Sequence, residues 1–108
     1  MKTLYLIRHA KSSWETANHT DFDRPLNERG KKNAPEMGRF LKKKKIHPDL
    51  IVSSPAKRAI KTAQIIAGEI GYPKNKIEEE IKIYEASVSA LLKITNQLNE
   101  KNKIVFII

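Results

Sequence analysis

Apolar residues are arranged along the chain in three short continuous runs, one alternating segment and three longer stretches at helical spacing. The first run, Leu4-Tyr5-Leu6-Ile7, contains no turn former and stops abruptly on Arg8 and His9. It predicts a strand over residues 2–8, most simply a central one in a parallel sheet, because such strands are buried on both faces. Residues 10–26 lose periodicity and collect Ser12, Ser13, Asn18, Asp21, Asp23 and Pro25, which predicts a long loop. Asn27 is a plausible helix cap with Glu28 in the favourable first turn. The helix expected from there to about Lys45 places Ala34, Met37, Gly38 and Leu41 on one face with Phe40 beside them. Pro35 lies inside it, so either Asn33 caps a fresh helix or the element is kinked.

His47-Pro48-Asp49 predicts a turn and Leu50-Ile51-Val52-Ser53 a short buried strand. Ser54-Pro55 reads as a cap and first turn, opening a helix over 55–70 that Gly71 ends. Its inward face would carry Ala59, Ala63, Ile66, Ala67 and Ile70, small enough for close packing on a sheet. Residues Ile77 to Tyr84 alternate imperfectly and predict a strand nearer an edge. Ser87 would cap a third helix, with Val88, Leu91, Leu92, Thr95 and Leu98 inward, and Ile104–Ile108 is a last buried strand. The order β-α-β-α-β-α-β predicts one domain, residues 1–108, with an α/β fold: three α/β/α layers around a mainly parallel sheet. A central parallel strand should be followed by a loop and a covering helix. Nothing follows Ile108, so the domain is expected to be incomplete after its last strand, truncated at the C-terminus. A last strand left unpaired would invite a homodimer through its exposed edge.

Composition narrows the function classes. Charged residues make up 31% of the chain and hydrophobic ones 40%, which fits a globular domain. There is no cysteine, hence no disulfide framework and no thiolate metal site. No apolar run approaches the roughly 20 residues of a membrane span, and the charged end of the first run does not suit a signal peptide. A cytoplasmic location is the default expectation. The net charge of +9 is shared by both halves of the chain. Its densest run, Lys42 to Lys45, reads more simply as a solvated helix end than as a nucleic-acid patch, because no aromatics interleave with it.

In a parallel sheet the strand ends share one edge, where open α/β folds place their ligand crevice. The first strand would deliver Arg8 and His9, the second Ser53, Ser54 and then Arg58, and the third Tyr84 and Glu85. Arginines suit a phosphate or a carboxylate, and a histidine can serve as base or nucleophile. Two guanidinium groups, an imidazole and a helix N-terminus around one hollow are what phosphoryl transfer requires.

Three blocks sharpen this expectation. Leu6-Ile7-Arg8-His9-Ala10, Arg24-Pro25-Leu26-Asn27-Glu28-Arg29-Gly30 and Ser53-Ser54-Pro55-Ala56-Lys57-Arg58-Ala59 resemble, in order, the signature blocks of the histidine phosphatase superfamily, the phosphoglycerate-mutase-like enzymes. Lys11-Ser12 after Arg-His-Ala, with Asp21 and Asp23 before the second block, is most similar to the SixA-type phosphohistidine phosphatases. The resemblance implies a hydrolase in which His9 accepts the phosphoryl group and Arg8 and Arg58 bind its oxygens. Ser12 would touch phosphate in the following loop. Glu85 fits either a proton donor or a solvated loop residue. No metal or organic cofactor is implied. The substrate would be a phosphohistidine on a protein or a small phosphate ester, with neither nucleic acid nor membrane as partner. The resemblance also implies a Gly-His pair directly after the last strand, which the sequence does not reach, so impaired turnover is expected of this chain. His19 and His47 are poor replacements, one in a loop and the other in a turn expected away from the crevice. Two rival readings are a non-catalytic phosphate-recognition module and a basic nucleic-acid-binding domain.

Overall fold

The computed structural model describes residues 3–8, 25–84, 88–98 and 101–108. The elements run β1 (Thr3–Leu6), α1 (Glu28–Lys43), β2 (Leu50–Ser53), α2 (Lys57–Ile70), β3 (Glu78–Glu79), α3 (Val88–Asn96) and β4 (Ile104–Ile107). Two single 3₁₀ turns, Lys74–Lys76 and Ile81–Ile83, flank β3. The sheet has the order β1-β4-β2-β3, and every pairing is parallel.

Alternation along the central strands sorts side chains to two faces. Ile51, Phe106 and Ile108 face α1 and α2, packing with Leu41, Ala59, Ala63, Ile66, Ala67 and Ile70. Leu50, Val52, Val105 and Ile107 face the other way, against Ile83, Ile94 and the partly buried Leu91 and Leu98. The result is the three-layer α/β/α arrangement that the element order predicts. Phe106 is wholly buried, and Tyr5 meets it edge-on with ring centroids 5.4 Å apart, a pairing that adds about 1 kcal/mol to simple burial.

β4 is interior. Its residues pair with β1 on one side, Thr3 opposite Ile104, and with β2 on the other, Leu50 opposite Val105. The expectation of an unpaired last strand is therefore corrected, and a homodimer through it has no free edge to use. β1, expected at the centre, lies at one side of the described sheet. Its residues, half-buried or exposed, show the difference from the fully buried β2.

Local chemistry explains the helix limits. Asn27 accepts a hydrogen bond from the Gly30 amide at 2.8 Å and caps α1. The helix continues through Pro35 without a second start. Its buried stripe is Gly30, Ala34, Gly38 and Leu41, whereas Met37 and Phe40 are exposed. Gly38 lies where α1 crosses α2, and a methyl group there would come within 2.6 Å of Glu69 Cβ. α2 begins at Lys57, two residues later than expected, because the Ser54 hydroxyl accepts from the Ala56 amide at 3.2 Å and closes a turn around Pro55 instead of capping the helix. The strand expected over 77–84 is only Glu78–Glu79, because Glu80 accepts from the Lys82 amide and turns the chain into the second 3₁₀ turn. In α3 Ile94 is buried and Leu91 partly so, with Leu98 just beyond the helix packed on the same face as expected, while Leu92 is exposed. Ser87 lies outside the described residues. No helix among the described residues is long and apolar enough to cross a membrane.

Candidate active site

Parallel pairing brings the C-terminal ends of β1, β4 and β2 to one edge. The ladder holds this edge together. Ile7 N–H donates to Ile107 at 2.8 Å, Ile108 N–H to Val52 at 3.0 Å, and Ser54 N–H to Ile108 at 2.8 Å. β1 and β2 stand two strand spacings apart, about 10 Å, which leaves room for a small anion between groups reaching in from both sides.

Arg8 emerges exposed just past β1 and borders a hollow of about 270 Å³. The rest of that hollow is apolar: Leu6, Ile7, Ile83, Leu91, Ile107 and Ile108. Arg58 stands in the first turn of α2, directly after β2, and is only 7% exposed. Its guanidinium carbon lies 5.9 Å from the centre of the Tyr84 ring. Such a cation–π contact contributes on the order of 1 kcal/mol where water is excluded. Two side chains stiffen this turn. The Thr62 hydroxyl, buried, donates to the Arg58 carbonyl at 2.7 Å. The Ser53 hydroxyl, fully buried, donates to the Ser54 carbonyl at 2.8 Å. The backbone that carries Arg58 is thereby braced, a rigid base of the kind that recognition of a tetrahedral anion requires. The α2 N-terminus opens on the same edge and adds its positive dipole end.

Of the residues expected to carry chemistry, Arg8 and Arg58 are described, and both belong to this edge. His9, Ser12 and Glu85 lie outside the described residues. His47 precedes β2, at the opposite end of the sheet, as expected of a residue that cannot serve the crevice. Tyr84 was visible in the sequence as a strand-end residue, but its place over Arg58 was not, because contacts between distant segments leave no local pattern. Among the described residues no three or more His, Asp or Glu side chains gather to hold a metal ion.

Known proteins resemble this chain in sequence and in fold. Phosphoglycerate mutase 1 of Saccharomyces cerevisiae is 40% identical over 67 residues, which are 60% of this chain and 27% of that protein. A 2,3-bisphosphoglycerate-dependent phosphoglycerate mutase of Bifidobacterium longum is 41% identical over 64 residues, 57% of this chain and 26% of the mutase. The chain thus spans about a quarter of the length of these curated relatives. The crystal structure of a protein assigned as the phosphohistidine phosphatase SixA, from Agrobacterium tumefaciens, superposes with a TM-score of 0.84 and 30% identity. The match covers 99% of this chain and 69% of that one. A second SixA structure, a protein histidine phosphatase complexed with tungstate, shares the fold at TM-score 0.82 and 22% identity, over 96% of this chain and 66% of that one. Residues 4–103 match the sequence profile of branch 1 of the histidine phosphatase superfamily. With a SixA-type fold, an arginine at the end of β1 and a second one seated at the head of α2, the chain belongs to the histidine phosphatase superfamily.

Proposed function

We propose that this chain carries the phosphoryl-transfer site of a phosphohistidine phosphatase, with His9 as nucleophile and Arg8 and Arg58 as the groups that hold the phosphoryl oxygens. The observation that carries this reading is the buried Arg58 guanidinium at the head of α2, on the edge where β1 delivers Arg8. An imidazole nitrogen of His9 attacks phosphorus, and the phosphorus–nitrogen bond of the substrate breaks. The departing imidazole takes a proton. Water then attacks the phosphorylated His9 and releases inorganic phosphate. Splitting the transfer into two displacements lowers each barrier, and the two guanidinium groups offset charge on the equatorial oxygens. Ser12 would add a hydroxyl donor to the phosphate, and Glu85 would supply the proton where the leaving group needs one.

A phosphohistidine on a protein is the substrate favoured by the superposition on a SixA-type chain over 99% of this one. A small phosphate ester is the second reading, favoured by the sequence match to phosphoglycerate mutases. Incubation with a labelled phosphoramidate, followed by rapid quenching, tests the nucleophile. Acid-labile label on His9 is expected, and Arg58→Ala should lower it by roughly tenfold or more. Failure of the unaltered chain to take up label would overturn the assignment. Equal labelling by the Arg58→Ala chain would remove Arg58 from the site.

A further inference from the structure

Beside this edge lies a second hollow, of about 360 Å³, between the heads of α1 and α2. Its floor is apolar, made by Pro25, Leu26 and Ile60, and its rim is cationic, made by Lys31, Lys57 and Lys61. Lys57, Ile60 and Lys61 form one stripe on α2, next to the stripe that the core buries. Lys57 immediately precedes Arg58, so the hollow adjoins the phosphate-binding turn.

The rim charges are available. All three lysines are exposed. Lys31 makes only a 3.7 Å surface contact with Glu28, and among the described residues no carboxylate lies within ion-pair distance of Lys57 or Lys61. Three ammonium groups around an aliphatic floor recognise a chain segment that is acidic and also carries an apolar side chain. A nucleic acid would want aromatic platforms, and none lines this hollow. The net charge of +9 draws acidic partners toward the protein from a distance.

We infer that the hollow between the heads of α1 and α2 is a docking site for an acidic protein segment, in which one aliphatic residue seats on Leu26 and Ile60 while flanking carboxylates meet Lys31, Lys57 and Lys61. The inference deepens the phosphoprotein reading and rests on it for its biological role: docking here holds a protein substrate next to Arg58.

The test is binding, read by fluorescence anisotropy at low salt. The probe is a labelled acidic pentapeptide with a central leucine between pairs of glutamate and aspartate. The double substitution Lys57→Glu with Lys61→Glu should weaken binding by roughly tenfold. Lys42→Glu with Lys43→Glu, the same charge change at the far end of α1, should weaken it by no more than about twofold. A glycine in place of the central leucine should weaken binding several-fold. Equal loss in both double variants would overturn the site and leave only general attraction. Undiminished binding of the glycine peptide would overturn the role of the floor. Displacement of the peptide by an RNA oligonucleotide at lower concentration would overturn the choice of occupant. Since no turnover is read, absence of label on His9 would sink the phosphatase reading without touching this result.

Discussion

Tyr72 shows how much one side chain can tie together. It follows Gly71 at the end of α2, and its hydroxyl accepts from the Ile51 amide at 3.4 Å and donates to the Lys76 carbonyl at 3.1 Å. The phenol thereby links β2 to the 3₁₀ turn before β3. Burial pushes its pKa above the ordinary value of about 10; the Ile51 amide opposes the rise, and the Glu78 carboxylate adds to it. The folded state therefore prefers the protonated phenol more than the unfolded chain does. This contribution is fully present below pH 10 and is lost as pH rises through the higher folded value. Tyr72→Phe should cost about 1 kcal/mol at neutral pH through the lost hydrogen bonds. It should also flatten the loss of stability above pH 10, and urea titrations at pH 7 and pH 10.5 check both. Arg58 gives the complementary lesson at this scale. Its candidacy was readable, because Ser-Ser-Pro ahead of it fixes its place at a helix head. Its burial under Tyr84 was not, because the two are far apart in sequence.

At the scale of elements, the two helices on one face end in the same way, and only one ending could be read. α2 stops at Gly71, whose φ of 80° is left-handed, and the Tyr72 amide donates to Ala67. Glycine announces that turn. α1 stops in the middle of four lysines, where Lys45 takes φ 58°. The Ile46 amide donates back to Leu41 at 3.1 Å and the Lys45 amide to Lys42 at 3.0 Å. This is the same closing geometry, held by a residue whose Cβ resists it. Lys45→Gly should therefore raise stability by roughly 1 kcal/mol, seen as a higher urea midpoint with unchanged slope. An unchanged midpoint would mean that the lysine is not strained. Elements with strong periodicity or a plain cap, such as α1 behind Asn27 and the body of α2, were legible. The short β3 was not, since its two ladder pairs with β2 depend on a neighbour rather than on its own residues.

For the whole molecule, the sheet's layering followed from element order, but the order of strands did not. Apolar content marks β4 as buried without saying between which strands it lies. The start of β4 is fixed by Asp49, whose Oδ2 accepts from the Lys103 and Ile104 amides, both at 2.9 Å, while the Asp49 amide donates to Ile104 at 2.8 Å. One carboxylate at the mouth of β2 thus anchors the start of β4 beside it. Asp49→Ala should cost about 2 kcal/mol, since bonds to a charged acceptor contribute more than neutral ones. Hydrogen exchange should then quicken at Lys103 and Ile104 before it does in α2. Uniform acceleration across the chain would show that the start of β4 does not depend on this group.

The place of β4 between two strands made long before it bears on how the nascent chain behaves. As the polypeptide leaves the ribosome, β1 and β2 emerge early but cannot lie against one another, since the slot between them is reserved for a segment still to be synthesised. Until it arrives, the edges of β1 and β2 that face this slot have no strand to pair with, which is when chaperones and foreign strands compete for them. Closure joins residues separated by almost the full length described, a non-local pairing of the kind that slows folding. The crevice, with Arg8 just past β1 and Arg58 in the first turn of the helix that follows β2, cannot exist before that moment.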